Sequence, residues 1–113
     1  MELKRKNINC GFTKLRVWDD TISLFKWIYN ITRDFPFEIS NIRNNILDAS
    51  HSISRNIAEG YCRKSLMENL NFLNIALGSC RELLSGILSF KEIELINEST
   101  FEEFDALHYK VEN

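Results

Sequence analysis

One proline and four glycines in 113 residues leave this chain almost without turn formers. β-Sandwiches and barrels need a turn signal every eight to twelve residues or so, which excludes them. No apolar run approaches the ~18 residues of a membrane span. Lys4, Arg5 and Lys6 open no secretory leader, because Asn7, Asn9 and Gly11 interrupt the apolar stretch that would have to follow. The cysteines number only three, Cys10, Cys62 and Cys80, with no C-x-x-C pair. That odd and scattered set predicts neither a disulfide framework nor a zinc site, and it places the chain in the reducing cytoplasm. An excess of one charge sign is also missing: the net charge is −2, too acidic for a protein that coats nucleic acid indiscriminately.

What is present suits one helical domain. The hydrophobic content is 44%, above that of a disordered chain, and the length is enough to bury a core without staples. The charge is unevenly spread. Residues 1–16 carry five bases against Glu2 alone, whereas residues 92–113 carry seven acids against Lys110 alone. We therefore expect a basic arm over residues 1–11 and a four-helix bundle over residues 12–113 with an acidic end.

Helical spacing recurs four times. Leu15, Trp18, Ile22, Phe25, Tyr29 and Thr32 form one row, with Val17, Leu24, Ile28 and Ile31 beside it, and Pro36 closes the helix. Ile39, Ile42, Ile46, Ala49, Ile53 and Ile57 form the second helix. It ends near Gly60, as a C-cap or a late helical glycine, and Asn56 lies on its apolar face. Ser65-Leu66-Met67-Glu68 is a capping box that opens the third. That helix carries two apolar rows: Leu66, Leu70, Leu73, Leu77, Cys80, Leu84 and Ile87, and Phe72, Ala76, Ser79, Leu83, Gly86 and Phe90. Small residues in the second row admit a close neighbour. Ser99-Thr100-Phe101-Glu102 is a second capping box and predicts the start of a short fourth helix. At about half the length of the third, it cannot cover that partner, and we expect the natural chain to extend past Asn113. The fold predicted is all-α, an antiparallel up-down four-helix bundle. Its surplus apolar rows predict subunit contacts.

No catalytic set emerges. His51 and His108 lack a partner at ligand spacing and read as packed histidines. Asp48-x-x-His51 and Asp105-x-x-His108 only echo the Glu-x-x-His motif of di-metal bundles, so no metal or cofactor is expected. A small-molecule site in the bundle core has only fold analogy behind it. Arg55, Glu59 and Arg63, at i, i+4 and i+8, read either as an ion-pair ladder or, with Lys64, as an edge that grips phosphate. Lys4, Arg5, Lys6, Lys14 and Arg16 form a less neutralised phosphate-binding set, or else a solubilising tail.

Ser52-Ile53 followed by Asn56-Ile57-Ala58-Glu59-Gly60 is a distinctive string. It is joined by Val17-Trp18, Phe35-Pro36, Phe72-Leu73, Ala76, Gly78-Ser79 and Glu82-Leu83. Together these residues resemble the four-helix bundle proteins encoded by bacterial 23S rRNA intervening sequences, often called ribosomal-protein-like. The group is in turn similar to the accessory protein of diversity-generating retroelements, a basic pentamer that binds nucleic acid and a reverse transcriptase. The resemblance implies a ring-shaped homopentamer, with contact to RNA or a ribonucleoprotein inferred for the group from genomic context. It also implies a structural role for Asn56, Glu59, Gly60, Ser79 and Glu82, beside the Ser65–Glu68 cap.

Two departures stand out. Where the family commonly has paired arginines, this chain has Leu47 and Asp48, and Ser54 replaces a usual proline. Five copies at −2 each would carry about −10, so RNA binding requires the basic arms to cluster on one face. The expectation is a non-enzymatic oligomer that contacts structured RNA. The alternative is a ring-shaped protein-interaction scaffold without nucleic-acid contact, which the acidic tail favours.

Overall fold

The computed structural model describes residues 10–112. Four helices follow one another: α1 over Arg16–Thr32, α2 over Ser40–Tyr61, α3 over Leu66–Glu92 and α4 over Glu98–Glu112. Short 3-10 turns over Phe12–Lys14 and Phe37–Ile39 precede α1 and α2. The described residues contain no strand. The sequence supplies reasons for these limits. Beyond Thr32 the chain turns extended at Pro36 (ψ 143°), and α3 starts where the Ser65 hydroxyl accepts from the Glu68 amide at 3.4 Å.

Helices pack as a closed four-sided set, α1 on α2, α2 on α3, α3 on α4 and α4 back on α1, with α2 against α3 the most extensive. Cross-helix neighbours give the directions. On α2 and α3, Ile46 meets Gly86, Ser52 meets Ser79 and Gly60 meets Asn69, so numbers rise on one helix as they fall on the other. Thr32 with Arg43 and Phe25 with His51 do the same for α1 and α2, and Lys91 with Glu98 and Cys80 with His108 for α3 and α4. These neighbours are antiparallel, as the four helical segments and their short connections predict.

The small-residue row of α3 is the one that faces α2. Ala76, Ser79, Leu83 and Phe90 are buried, as are Ile46, Ala49, Ile53 and Ile57 on α2. A Cβ on Gly86 would overlap the Ile46 side chain, and one on Gly60 would stand 2.9 Å from the Phe72 Cβ and 3.2 Å from the Asn69 carbonyl. Gly60 therefore lies inside the last turn of α2 as a close-approach residue, not as a left-handed cap. Asn56, Ser52 and Ser79 form a buried polar chain across the same interface. Asn56 Nδ2 donates to the Ser52 carbonyl (2.8 Å) and hydroxyl (3.0 Å), and the Ser79 hydroxyl donates to the Ser52 hydroxyl (2.8 Å). Buried polar groups joined in this way avoid a desolvation cost and fix the helix register.

One sequence expectation needs correction, and one that the sequence leaves open is settled. α4 begins at Glu98, and the cap is Asn97, whose side-chain oxygen accepts from the Thr100 amide at 2.8 Å. Asn caps at least as well as Ser, so the start shifts two residues upstream of the Ser99 box. In α1 the buried positions are Thr21, Leu24, Ile28 and Thr32, so Leu24 and Ile28 of the second row form the core while Tyr29 of the first is exposed.

Candidate nucleic-acid interface

Antiparallel packing gathers the start of α1, the end of α2 and the start of α3 at one end of the bundle. Lys14 and Arg16 stand exposed at the entry to α1, and Arg63 and Lys64 are exposed in the α2–α3 turn. Arg55 lies two turns back along α2. Its guanidinium is hydrogen-bonded with His51 Nδ1 (3.3 Å) and lies 4.0 Å from Asp48. Glu59 pairs with Arg63 at 3.0 Å. The ladder anticipated over Arg55, Glu59 and Arg63 is therefore only half formed, because Arg55 pairs upstream. Lys4, Arg5 and Lys6 lie outside the described residues.

A disulfide joins Cys10 to Cys62, with Cα atoms 5.3 Å apart and a sequence separation of 52. This overturns the expectation that the cysteines stay unpaired, and with it the argument from cysteine usage to a reducing compartment. Nothing local announces the pair, because it forms where the chain ahead of α1 folds back onto the end of α2. Cys10 and Gly11 both take left-handed backbone (φ 61° and 68°), which turns the chain there. The bond anchors the segment bearing Lys14 and Arg16 beside Arg63 and Lys64, so two cationic sets distant in sequence share one end of the molecule.

Most acidic residues of the tail lie elsewhere, although Glu112 borders the same groove as Val17. Glu92, Glu94, Glu98, Glu102 and Glu103 cluster where α3 ends and α4 begins, at the opposite end. The 27 residues of α3 separate the two ends by about 40 Å at 1.5 Å per residue, against a Debye length of about 8 Å at physiological salt. Charge at one end is thus screened from the other.

The other residues that the sequence marks have plain surroundings. Glu68 contributes its backbone amide to the Ser65 cap, Glu82 is exposed on α3, and Ser54 donates to the His51 carbonyl at 3.0 Å. His108 is buried, with Nε2 2.9 Å from the Cys80 carbonyl and Nδ1 2.9 Å from Glu112. His51, by contrast, is exposed, though its ring lies tilted 5.5 Å from that of Phe25. Cys80 is a free, buried thiol whose pKa burial pushes up from 9.0 to about 11, with Glu112 adding to the effect. Among the described residues no group of His, Cys, Asp or Glu could hold a metal ion, and no helix is long and apolar enough to cross a membrane.

Fold and surface together define a small all-helical bundle whose one end gathers Lys14, Arg16, Arg63 and Lys64 among Asp19, Asp20, Glu59 and Glu68, and whose opposite end carries most of the tail's glutamates. The chain belongs to the 23S rRNA-intervening sequence protein family, whose model matches residues 13–113. No curated protein matches it.

Proposed function

We propose that the protein is a non-enzymatic, self-assembling bundle that contacts structured RNA or a ribonucleoprotein through its cationic end. The observation that carries this reading is the joining of Lys14 and Arg16 to Arg63 and Lys64 by the Cys10–Cys62 bond, about 40 Å from the acidic cluster. The seven acids that argue from sequence against phosphate contact lose most of their force, because five of them sit beyond several Debye lengths. Lys4, Arg5 and Lys6 extend the same set along the chain, and Arg55 lies at its edge.

Self-assembly is supported by the N-terminal half of α3. Leu66 is 74% exposed, Leu70 48%, Leu73 37% and Leu77 40%, a strip at helical spacing along 12 residues. Beside it an apolar groove of about 310 Å³ runs between Ile53, Ile57, Leu73, Leu77 and Val111. We assign this apolar surface to contact with another copy of the chain. A ring of five copies, as the family resemblance implies, would set five cationic ends around one face.

The test is binding of a labelled hairpin RNA and a DNA duplex across a salt series. Tight binding that weakens steeply with salt is the expected result. Changing Lys14, Arg16, Arg63 and Lys64 to Gln should flatten the slope by up to about one unit for each phosphate no longer neutralised. An unchanged affinity and slope, or no binding at low salt, would overturn the reading. In that event the exposed α3 strip favours the protein-interaction scaffold, and a stoichiometric protein partner that resists nuclease should be sought.

A further inference from the structure

A pocket beside the cationic end offers more than charge. It lies between the Phe12–Lys14 turn, α1 and α2, has a volume of about 390 Å³, and is lined by Phe12, Trp18, Ile22, His51, Arg55 and Glu59. That volume suits a small planar ligand, since small-molecule sites run from about 300 Å³ upward. Its walls differ in kind. On one side Trp18 and Phe12 pack in a T-shaped pair, with ring centroids 5.4 Å apart and planes at 69°. On the other, His51, Arg55 and Glu59 recur at every fourth residue of α2 and so stand about 6 Å apart along one helix face.

We propose that this pocket receives an unpaired nucleobase of the bound RNA, an inference that rests on the RNA reading above. Trp18 supplies an aromatic face on which any base can stack. Glu59 supplies an acceptor for a base N–H: Arg63 engages its Oε2, and the side chain is about half exposed (52%). Arg55, one helical turn away, supplies the cation for the adjoining phosphate. The side chain of Arg55 is 49% exposed, and its pairing with Asp48 at 4.0 Å is loose enough to be exchanged for a phosphate oxygen. A base held in a duplex cannot enter, because both its faces are already stacked. The pocket therefore selects loops, bulges and ends, where sequence-tolerant stacking is available. The Cys10–Cys62 bond holds the Phe12 wall against α2, so the pocket is built before ligand arrives.

The test separates this pocket from the charge around it. Ala58 also lines the pocket, on a helix that accepts leucine readily, so A58L fills the space while keeping every cation. Two probes are used on the full chain with its disulfide intact: a hairpin RNA with an unpaired loop, and a fully paired RNA duplex. The expected result is a loss of about tenfold or more for the hairpin with A58L and with Trp18→Ala, partial rescue with Trp18→Phe, and unchanged affinity for the duplex with A58L. Wild-type-like hairpin binding by A58L would overturn the pocket and leave the RNA reading standing. Failure of the unmodified protein to bind either RNA would overturn both.

Discussion

The two ends of this bundle are built on different principles. At the acidic end the helices are closed by aromatic rings: Phe35 packs edge-on to Phe90 at 5.0 Å, Trp27 lies 5.9 Å from Phe104, and Phe101 lies 5.9 Å from Phe104. Lys91 spans this end, bound to Glu98 at 2.5 Å and set over the Phe101 ring. At the cationic end α3 is bare on one side, and closure comes from a disulfide, a single Phe12–Trp18 ring pair, a glycine contact and an asparagine side chain. One end commits its side chains to cohesion, while the other leaves leucines, arginines and a pocket facing outward. Surfaces that must meet a partner cannot also be buried, so stability has to be supplied elsewhere in the fold.

The comparison is broken most severely at the aromatic end. Phe90→Ala empties a fully buried site and should cost about 3–5 kcal/mol in urea denaturation, while Leu70→Ala, half exposed, should cost well under ~1 kcal/mol in the dissociated chain. Removing the cationic end's own staple comes next. Cys62→Ser opens a loop of sequence separation 52 and should lower stability by about 2–4 kcal/mol, and a reducing agent added to the unmodified protein should reproduce the loss. Gly60→Ala gains helix propensity but drives its Cβ against Phe72 and the Asn69 carbonyl, for a net loss of about 1–2 kcal/mol. The Cβ of Gly78→Ala meets open space, so that variant should gain about 0.5–1 kcal/mol, and melting temperatures of the pair check both signs.

Cys80 gives the smallest effect, visible only at high pH. Its thiol ionises near 9.0 when unfolded and near 11 in the fold, chiefly because it is buried. Well below pH 9 both states hold the proton and stability is unaffected. Between pH 9 and 11 the unfolded chain has released the proton that the fold retains, so stability falls as pH rises. Cys80→Ala should remove that part of the slope, measured as the difference between the two denaturation midpoints across this range.

The architecture was legible in the sequence because it rests on local rules. Helical spacing placed α1, α2 and α3, the Ser65 cap opened α3, and the recurrence of Ala76, Ser79 and Gly86 anticipated the closest interface. The Ser52–Asn56–Gly60 string was legible too, since a polar residue on an apolar face needs a buried partner. The rest depends on distance in space. Cys10 and Cys62 are 52 positions apart, and only the return of the chain ahead of α1 onto α2 makes them neighbours. The small residues of one α3 row mark the face that meets α2, but which stretch of the other row stays exposed depends on the packing of the whole bundle. Asn97 and Ser99 are both acceptable caps two residues apart, and the fold uses the first. Within the candidate site, the cations were readable as residues, but their gathering at one end was not. Likewise Trp18 and Phe12 read as helix and bundle-entry residues, and only the fold sets them opposite Arg55 and Glu59.

The central claim is that the two ends divide the work, with the cationic end alone meeting RNA. The most direct measurement compares two double variants whose net-charge changes are equal in size and opposite in sign. These are Arg63→Gln with Lys64→Gln, and Glu102→Gln with Glu103→Gln, each titrated with hairpin RNA from low to physiological salt. A slope flatter by up to about two units is expected for the first pair, and no change of slope for the second. Equal and opposite shifts in affinity from the two pairs would show that RNA responds only to the total charge of the molecule, and would contradict the division.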